Sequence, residues 1–159
     1  SLPLEEICFF LFVPYACVFV YEVMKGYFPH LYSTKFAHYF AFGFTMLAFS
    51  LGIFYFDNLY TAFACIIAAL LTLGIYFLRR EMWFSRFVVT FLVVQIPFFF
   101  VNGILTGMYT PEPIVWYNNA ENMQFRIGTI PFEDVFYNYS MLIMVFFFYH
   151  LLAKRFENK

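Results

Sequence analysis

Leu2-Pro3-Leu4-Glu5-Glu6 near the N-terminus and Ile130-Pro131-Phe132-Glu133-Asp134 near the C-terminus are two copies of one short acidic signature, and each runs directly into a long, strongly apolar stretch. Proline fits the first turn of a helix, where its missing N–H would have had no partner. Each copy therefore predicts a helix start with adjacent carboxylates in its first turn. Laying Pro3 on Pro131 also aligns Glu5 with Glu133, Glu6 with Asp134, Phe9 with Tyr137 and Tyr21 with Tyr149, which suggests an internal repeat.

The rest of the chain sets those stretches in a bilayer. Hydrophobic residues make up 64% of it, aromatics 26% and charged residues only 12%, against roughly 25% charged in a soluble domain. This composition predicts an integral membrane protein, and a net charge of −1 gives no reason to expect a nucleic-acid partner. The acidic N-terminus lacks the basic region of a cleaved signal peptide, so the first apolar run is expected to remain as a membrane helix. Cys8, Cys17 and Cys65 lie in apolar stretches without Cys-x-x-Cys spacing and read as buried thiols. His30, His38 and His150 are scattered with no ligand spacing, so no metal site is expected.

A membrane-spanning helix takes about 20 apolar residues. Five segments qualify, at approximately residues 4–24, 39–56, 59–77, 84–105 and 132–153. Short connections at Asp57 and Asn58 and at 78–83 make neighbouring spans antiparallel hairpins. The expectation is therefore an all-α, multi-pass transmembrane bundle forming a single domain over residues 1–159. Following the chain across the membrane puts eight of the nine Lys and Arg residues on one side, with only Arg126 opposite. The positive-inside rule makes that basic side cytoplasmic. Glu5, Glu6, Glu133 and Asp134 then share the external face, and a bacterial plasma membrane is the expected location.

Acids in a helix's first turn complement its dipole, by about 0.3–1 kcal/mol, and for one isolated copy that account suffices. Recurrence on one predicted face weakens it. Consecutive residues lie about 100° apart on a helix, so one acid per motif is expected to face the interior while its neighbour supports it or meets water. Two carboxyls in a common apolar cavity can have their pKa values pushed apart by burial, one donating a proton and the other stabilising a cation or accepting a proton. Phe9, Phe10, Phe12, Tyr15 and Tyr137 could offer ring faces to such a cation, although plain packing accounts for most of the 27 Phe.

The connection 106–130 carries polar and turn residues and is long enough to suggest function. Trp116 and Tyr117 within it can be interfacial anchors or can cap an active-site mouth. Glu22, Gln95, Asn102 and His150 are polar positions within spans, which usually face a bundle interior. Glu22 and His150, aligned in the repeat, read as snorkelling residues near the cytoplasmic ends. Gln95 precedes Pro97 by two residues and reads as a helix–helix hydrogen-bonding group or a catalytic one.

The run Leu2-Pro3-Leu4-Glu5-Glu6-Ile7-Cys8-Phe9-Phe10, continuing to Val13-Pro14-Tyr15 and Tyr21-Glu22, resembles the first motif of the membrane-integral lycopene cyclase domain, known as heterodimeric, fused and single-chain carotenoid cyclases. Thr110-Pro111-Glu112-Pro113, Trp116-Tyr117-Asn118 and Gly128-Thr129-Ile130-Pro131-Phe132-Glu133-Asp134 resemble its second. The resemblance implies non-redox cyclisation of lycopene end groups to β-ionone rings, with Glu5, Glu6, Glu133 and Asp134 as acid and base. Phe9, Phe10, Tyr15, Asn102, Trp116, Tyr117 and Tyr137 are the candidate substrate-binding residues. No Gly-x-Gly-x-x-Gly run follows a strand, so no nucleotide cofactor is implied and none of any kind is expected. Members with both motifs usually carry further spans ahead of the first, implying N-terminal helices from a longer chain, an oligomer or a partner. Two other activities fit the same residues: a carotenoid hydratase, in which water captures the cation, and a non-enzymatic binder of carotenoid or prenyl lipid. The residues leave open β- against ε-rings and one-end against two-end cyclisation.

The orientation is checked by cysteine-accessibility labelling in a cysteine-free background. A cysteine at Asn119 should react from outside the cell and one at Lys35 only after the membrane is permeabilised; the opposite pattern would invert the topology.

Overall fold

The computed structural model describes residues 4–78 and 83–157, and the side chains of residues 4–7, 9, 10, 78 and 157 also lie outside what is described. Within these limits the chain forms helices α1 (Leu4–Tyr27), α2 (Thr34–Phe54), α3 (Leu59–Thr72), α4 (Phe84–Leu105) and α5 (Glu133–Glu157), with a two-strand hairpin of β1 (Arg126–Ile127) and β2 (Ile130–Pro131). A short 3₁₀ turn follows α1 at Pro29–Leu31, and α3 runs on as a π-helical turn at Leu73–Leu78. Four stretches, Thr34–Phe54, Leu59–Phe77, Phe84–Leu105 and Glu133–Phe156, are long and apolar enough to cross a membrane. The 24 residues of α1 match that length. The architecture is an all-α membrane bundle.

Two boundaries differ from expectation for local reasons. The second helix begins at Thr34 rather than residue 39, because Ser33 adopts extended backbone and its hydroxyl accepts the Phe36 N–H at 3.3 Å, a helix N-cap. Pro131 lies in β2 rather than in the first turn of α5, which starts at Glu133. A proline cannot donate to a ladder and is tolerated at the end of so short a strand. Pro3, its counterpart, falls outside the described residues.

Lipid tails are as apolar as leucine, so helices in a membrane associate through close packing of small residues. The buried residues of α2 are Ala37, Ala41, Thr45, Ala48 and Gly52, a small-residue stripe. Those of α3 are Thr61, Ala62, Ala64, Cys65, Ala68, Ala69 and Thr72. With such narrow faces α3 packs against both α2 and α5. Tyr139 of α5 is fully buried at the junction. Its hydroxyl lies 2.8 Å from Thr72 Oγ1, and its ring lies 4.2 Å from Phe44 and edge-on to Phe91 at 5.2 Å.

The helices that carry the acidic signatures meet at their other ends. The hydroxyl of Tyr21 on α1 is 3.0 Å from His150 Nε2 on α5, and Glu22 Oε1 accepts from the Tyr149 hydroxyl at 3.0 Å. Under the alignment that pairs Tyr21 with Tyr149 and Glu22 with His150, these two contacts are reciprocal. Glu22 also pairs with Lys25 at 2.9 Å, and the Trp83 ring stacks on His150 with centroids 5.0 Å apart. Pairing across the helices thus replaces the snorkelling expected of Glu22 and His150. Gln95 likewise turns back on its own helix, donating to the Phe91 carbonyl at 3.3 Å rather than to another helix. Because α1 and α5 run parallel from this junction, their starts lie at one end of the bundle.

The close approach of α2 and α3 is most acute at Gly52, where an added Cβ would lie 2.7 Å from Ile66 Cγ1; at Gly43 it would meet nothing within 4 Å. Gly52→Val is expected to destabilise the protein by about 1–3 kcal/mol through overpacking, while Gly43→Val leaves stability nearly unchanged. Thermal unfolding of both variants in detergent micelles checks this; equal midpoints would contradict the tight α2–α3 seam.

Candidate active site

The start of α5 is roofed by the connection from α4. The hairpin pairs Arg126 with Pro131 and Ile127 with Ile130. Gly128 takes φ +66° at the first central position, as a type II′ turn requires, and Met108 occupies the space a side chain there would need. Asn58, ahead of α3, donates its amide to the carbonyls of Ala120 and Asn122 at 3.1 and 3.0 Å, and the Tyr60 N–H donates to the Glu121 carbonyl at 3.0 Å. These bonds hold residues 118–124 down over the first turn of α3. Gln124 sits in the left-handed region at φ 60°, its N–H bonded to Asn122 Oδ1 at 2.8 Å. Such a backbone conformation is costly for a non-glycine residue and persists only where surroundings enforce it.

Under this roof both acids of the second signature are buried, Glu133 at 0% exposure and Asp134 at 4%. The expectation that one would face inward while its neighbour supported it or met water is therefore corrected. The two side chains do diverge along the helix, but the connection closes over the second direction too. Glu133 Oε1 accepts from Thr61 Oγ1 at 2.5 Å and from the Met123 N–H at 2.6 Å. Its other oxygen, Oε2, is buried with no partner among the described residues. Asp134 Oδ1 accepts from the Tyr60 hydroxyl at 2.5 Å, and Oδ2 accepts from Asn102 Nδ2 and the Tyr117 hydroxyl, each at 2.7 Å. Adjacent residues of α3, Tyr60 and Thr61, thus serve adjacent residues of α5.

Tyr117 reaches this cluster from the connection. Burial first, then its hydrogen bond to Asp134 and that residue's charge, push its phenol above the ordinary range, with the Arg126 guanidinium acting the other way. That guanidinium lies 5.8 Å from the Tyr117 ring centre. The phenol therefore keeps its proton and stays a donor to Asp134 at any physiological pH.

Of the residues singled out by sequence, Asp134, Asn102 and Tyr117 are joined by direct hydrogen bonds, and Glu133 is beside them as the preceding residue of α5, with Thr61 and the Met123 N–H as its own donors. Trp116, 78% exposed, and Tyr15, 73% exposed, point away from the cluster's buried interior, and Tyr137 is also exposed. The alternatives for the neighbouring Trp116 and Tyr117 separate: Tyr117 bonds an acid, while Trp116 is left at the surface. The side chains of Glu5, Glu6, Phe9 and Phe10 lie outside the described residues. Sequence reasoning missed Tyr60 and Thr61, the hydroxyl pair opening the third span. The available signal was their depth, since they follow the Asp57 and Asn58 connection on the side assigned to the acids. Among the described residues no group of three His, Cys, Asp or Glu side chains is placed to hold a metal ion.

A family model described as lycopene cyclase matches residues 1–24 and 57–152. The match includes both acidic signatures and every residue that donates to Glu133 or Asp134, and leaves out the whole of α2. No curated protein and no solved structure matches the chain.

The pairing of α3 with α5 predicts energetic coupling between specific partners. A double-mutant cycle of Thr61→Val with Glu133→Gln, read by unfolding in detergent, should give an interaction energy of about 0.5–3 kcal/mol, the range for groups in one hydrogen-bond network. Thr61→Val with a change at exposed Ile53 should be additive. Additivity in the first cycle would break the assigned contact.

Proposed function

Because the chain belongs to the lycopene cyclase family, we propose that it is a lycopene β-cyclase, closing β-ionone rings by proton-initiated isomerisation. The observation carrying this reading is the pair of buried, adjacent carboxyl groups, of which Glu133 keeps one oxygen without a partner among the described residues while Asp134 has both oxygens engaged by donors. In the proposed reaction a proton adds to the terminal alkene of an acyclic end group, leaving a tertiary cation. The internal alkene attacks that cation, forming the ring bond and moving the positive charge into the ring. Loss of a neighbouring ring proton gives the product alkene. One proton enters and one leaves, so substrate and product are isomers. No electrons are exchanged, and the balance calls for neither a redox cofactor nor a metal.

Glu133 is assigned as proton donor through Oε2, with Oε1 fixed by Thr61 and the Met123 N–H. Asp134, which only accepts hydrogen bonds from its described partners, is assigned as the carboxylate facing the positive charge. Glu5 and Glu6, at the start of the parallel helix α1, are assigned to the same reaction as the first motif's acid–base pair. A site closed to water favours capture of the cation by the alkene. The acids are assigned to the non-cytoplasmic side of the membrane.

The test is expression of the full-length gene in lycopene-accumulating cells, with pigments separated by chromatography and weighed by mass spectrometry. Ringed products of unchanged mass are expected. Pigment heavier by one water would instead indicate a hydratase, and unchanged lycopene a binding protein. Glu133→Gln, Asp134→Asn and Glu5→Gln should each reduce ring formation by at least about 10²-fold, the lower range for loss of general acid–base catalysis, at equal protein in the membrane. Normal cyclisation by Glu133→Gln would remove it as the proton donor.

A further inference from the structure

A cavity of about 220 Å³ lies between α1, α4 and α5, beside the acid cluster. Its floor includes Cys17, Val94 and Leu142, all buried. Ala16 of α1 and Val101 of α4 also line it and are exposed, so it opens between those helices on the lateral surface that faces lipid. Lining residues on α4 run from Val94 to Leu105, about 16 Å at the helical rise of 1.5 Å per residue. Pro97 lies in that run and removes one backbone hydrogen bond from α4. The walls are apolar except for the amides of Asn102 and Asn138. Asn102 is also the residue whose Nδ2 donates to Asp134 Oδ2 at 2.7 Å.

We propose, resting on the cyclase reading, that this cavity is a lateral port: one end of an acyclic polyene enters it from the bilayer between α1 and α4, and Asn102 joins the seated end group to the acids. Size selects the occupant. An apolar cavity of about 150 Å³ takes up benzene, so this one accommodates a methyl-bearing six-carbon ring or its folded open precursor. It is too small for a whole carotenoid, and the rest of the chain leaves through the mouth into lipid. A hydrocarbon substrate offers no group to satisfy polar walls, which fits the apolar lining. The amide contact to Asp134 makes Asn102 a positioning residue, fixing the carboxylate at the port's polar end.

The experiment separates occupancy from catalysis. Glu133→Gln protein, purified in mild detergent from lycopene-accumulating cells, is assayed for pigment retained per protein by absorbance. Adding Val101→Trp or Ala16→Phe at the mouth should lower retained pigment by about tenfold, equivalent to 1.4 kcal/mol. Ile53→Trp, on the exposed surface of α2, should leave it unchanged. With Glu133 restored, the two mouth variants should lose ring formation in proportion, while Asn102→Leu should lose ring formation and keep its pigment. Gel filtration confirms that each variant is monodisperse, and the two mouth variants lie on different helices, so one folding failure does not remove the test. Undiminished retention and ring formation in a folded mouth variant would overturn the port while leaving the cyclase reading intact. Loss of retention in the mouth variants of a protein that never forms rings would keep the port and overturn the cyclase reading.

Discussion

Two carboxyl groups on consecutive residues are buried at the start of α5, and the surrounding structure follows from the need to satisfy both. Leaving a buried polar group without a hydrogen-bond partner costs about 1–3 kcal/mol. Consecutive helical residues point about 100° apart, so no single partner can serve the two. One set of donors therefore comes from Thr61 and the Met123 backbone, and a second from Tyr60, Asn102 and Tyr117. These groups belong to α3, α4 and the connection after α4. Each of those elements has to be held against the first turn of α5 for the pair to stay buried.

The devices that hold them are ordinary ones. Small residues on α2 and α3 permit close approach where lipid supplies no hydrophobic drive. Tyr139 ties α5 to α2, α3 and α4 in the middle of the bundle. Asn58 clamps the connection over the acids with two side-chain bonds. The family match omits the whole of α2 yet includes all the donors to the acids. That division is consistent with α2 contributing packing while α3, α4, α5 and the connection build the site.

For the proposed carbocation chemistry, the same arrangement would have a chemical meaning. A cation formed beside water would be captured by it, whereas one formed in a closed apolar site meets the substrate's own alkene first. Engaging Asp134 with three donors fixes its position without adding solvent. Among the described residues Glu133 Oε2 has no partner, which is the atom the proposed reaction uses as proton donor. On the proposed reading, the apolar cavity lined in part by Asn102 would connect this chemistry to the bilayer, where a hydrocarbon substrate resides.

By itself the amino-acid sequence determined the membrane class, because 64% hydrophobic composition and runs of span length leave little other solution. It also marked the second acidic pair by its recurrence, Asn102 as a costly polar group within a span, and Tyr117 by its place in a long polar connection. Tertiary structure decided which of them meet. Nothing in the order of residues distinguishes Tyr117, bonded to Asp134, from its exposed neighbour Trp116; the difference is the path of a connection held by Asn58. Tyr60 and Thr61 were equally hidden, because a hydroxyl at a helix start is common and its partner lies more than seventy residues away in the chain. Periodicity reads the faces of single helices, while the burial of both acids depends on three segments closing over one helix turn, which only the assembled bundle specifies.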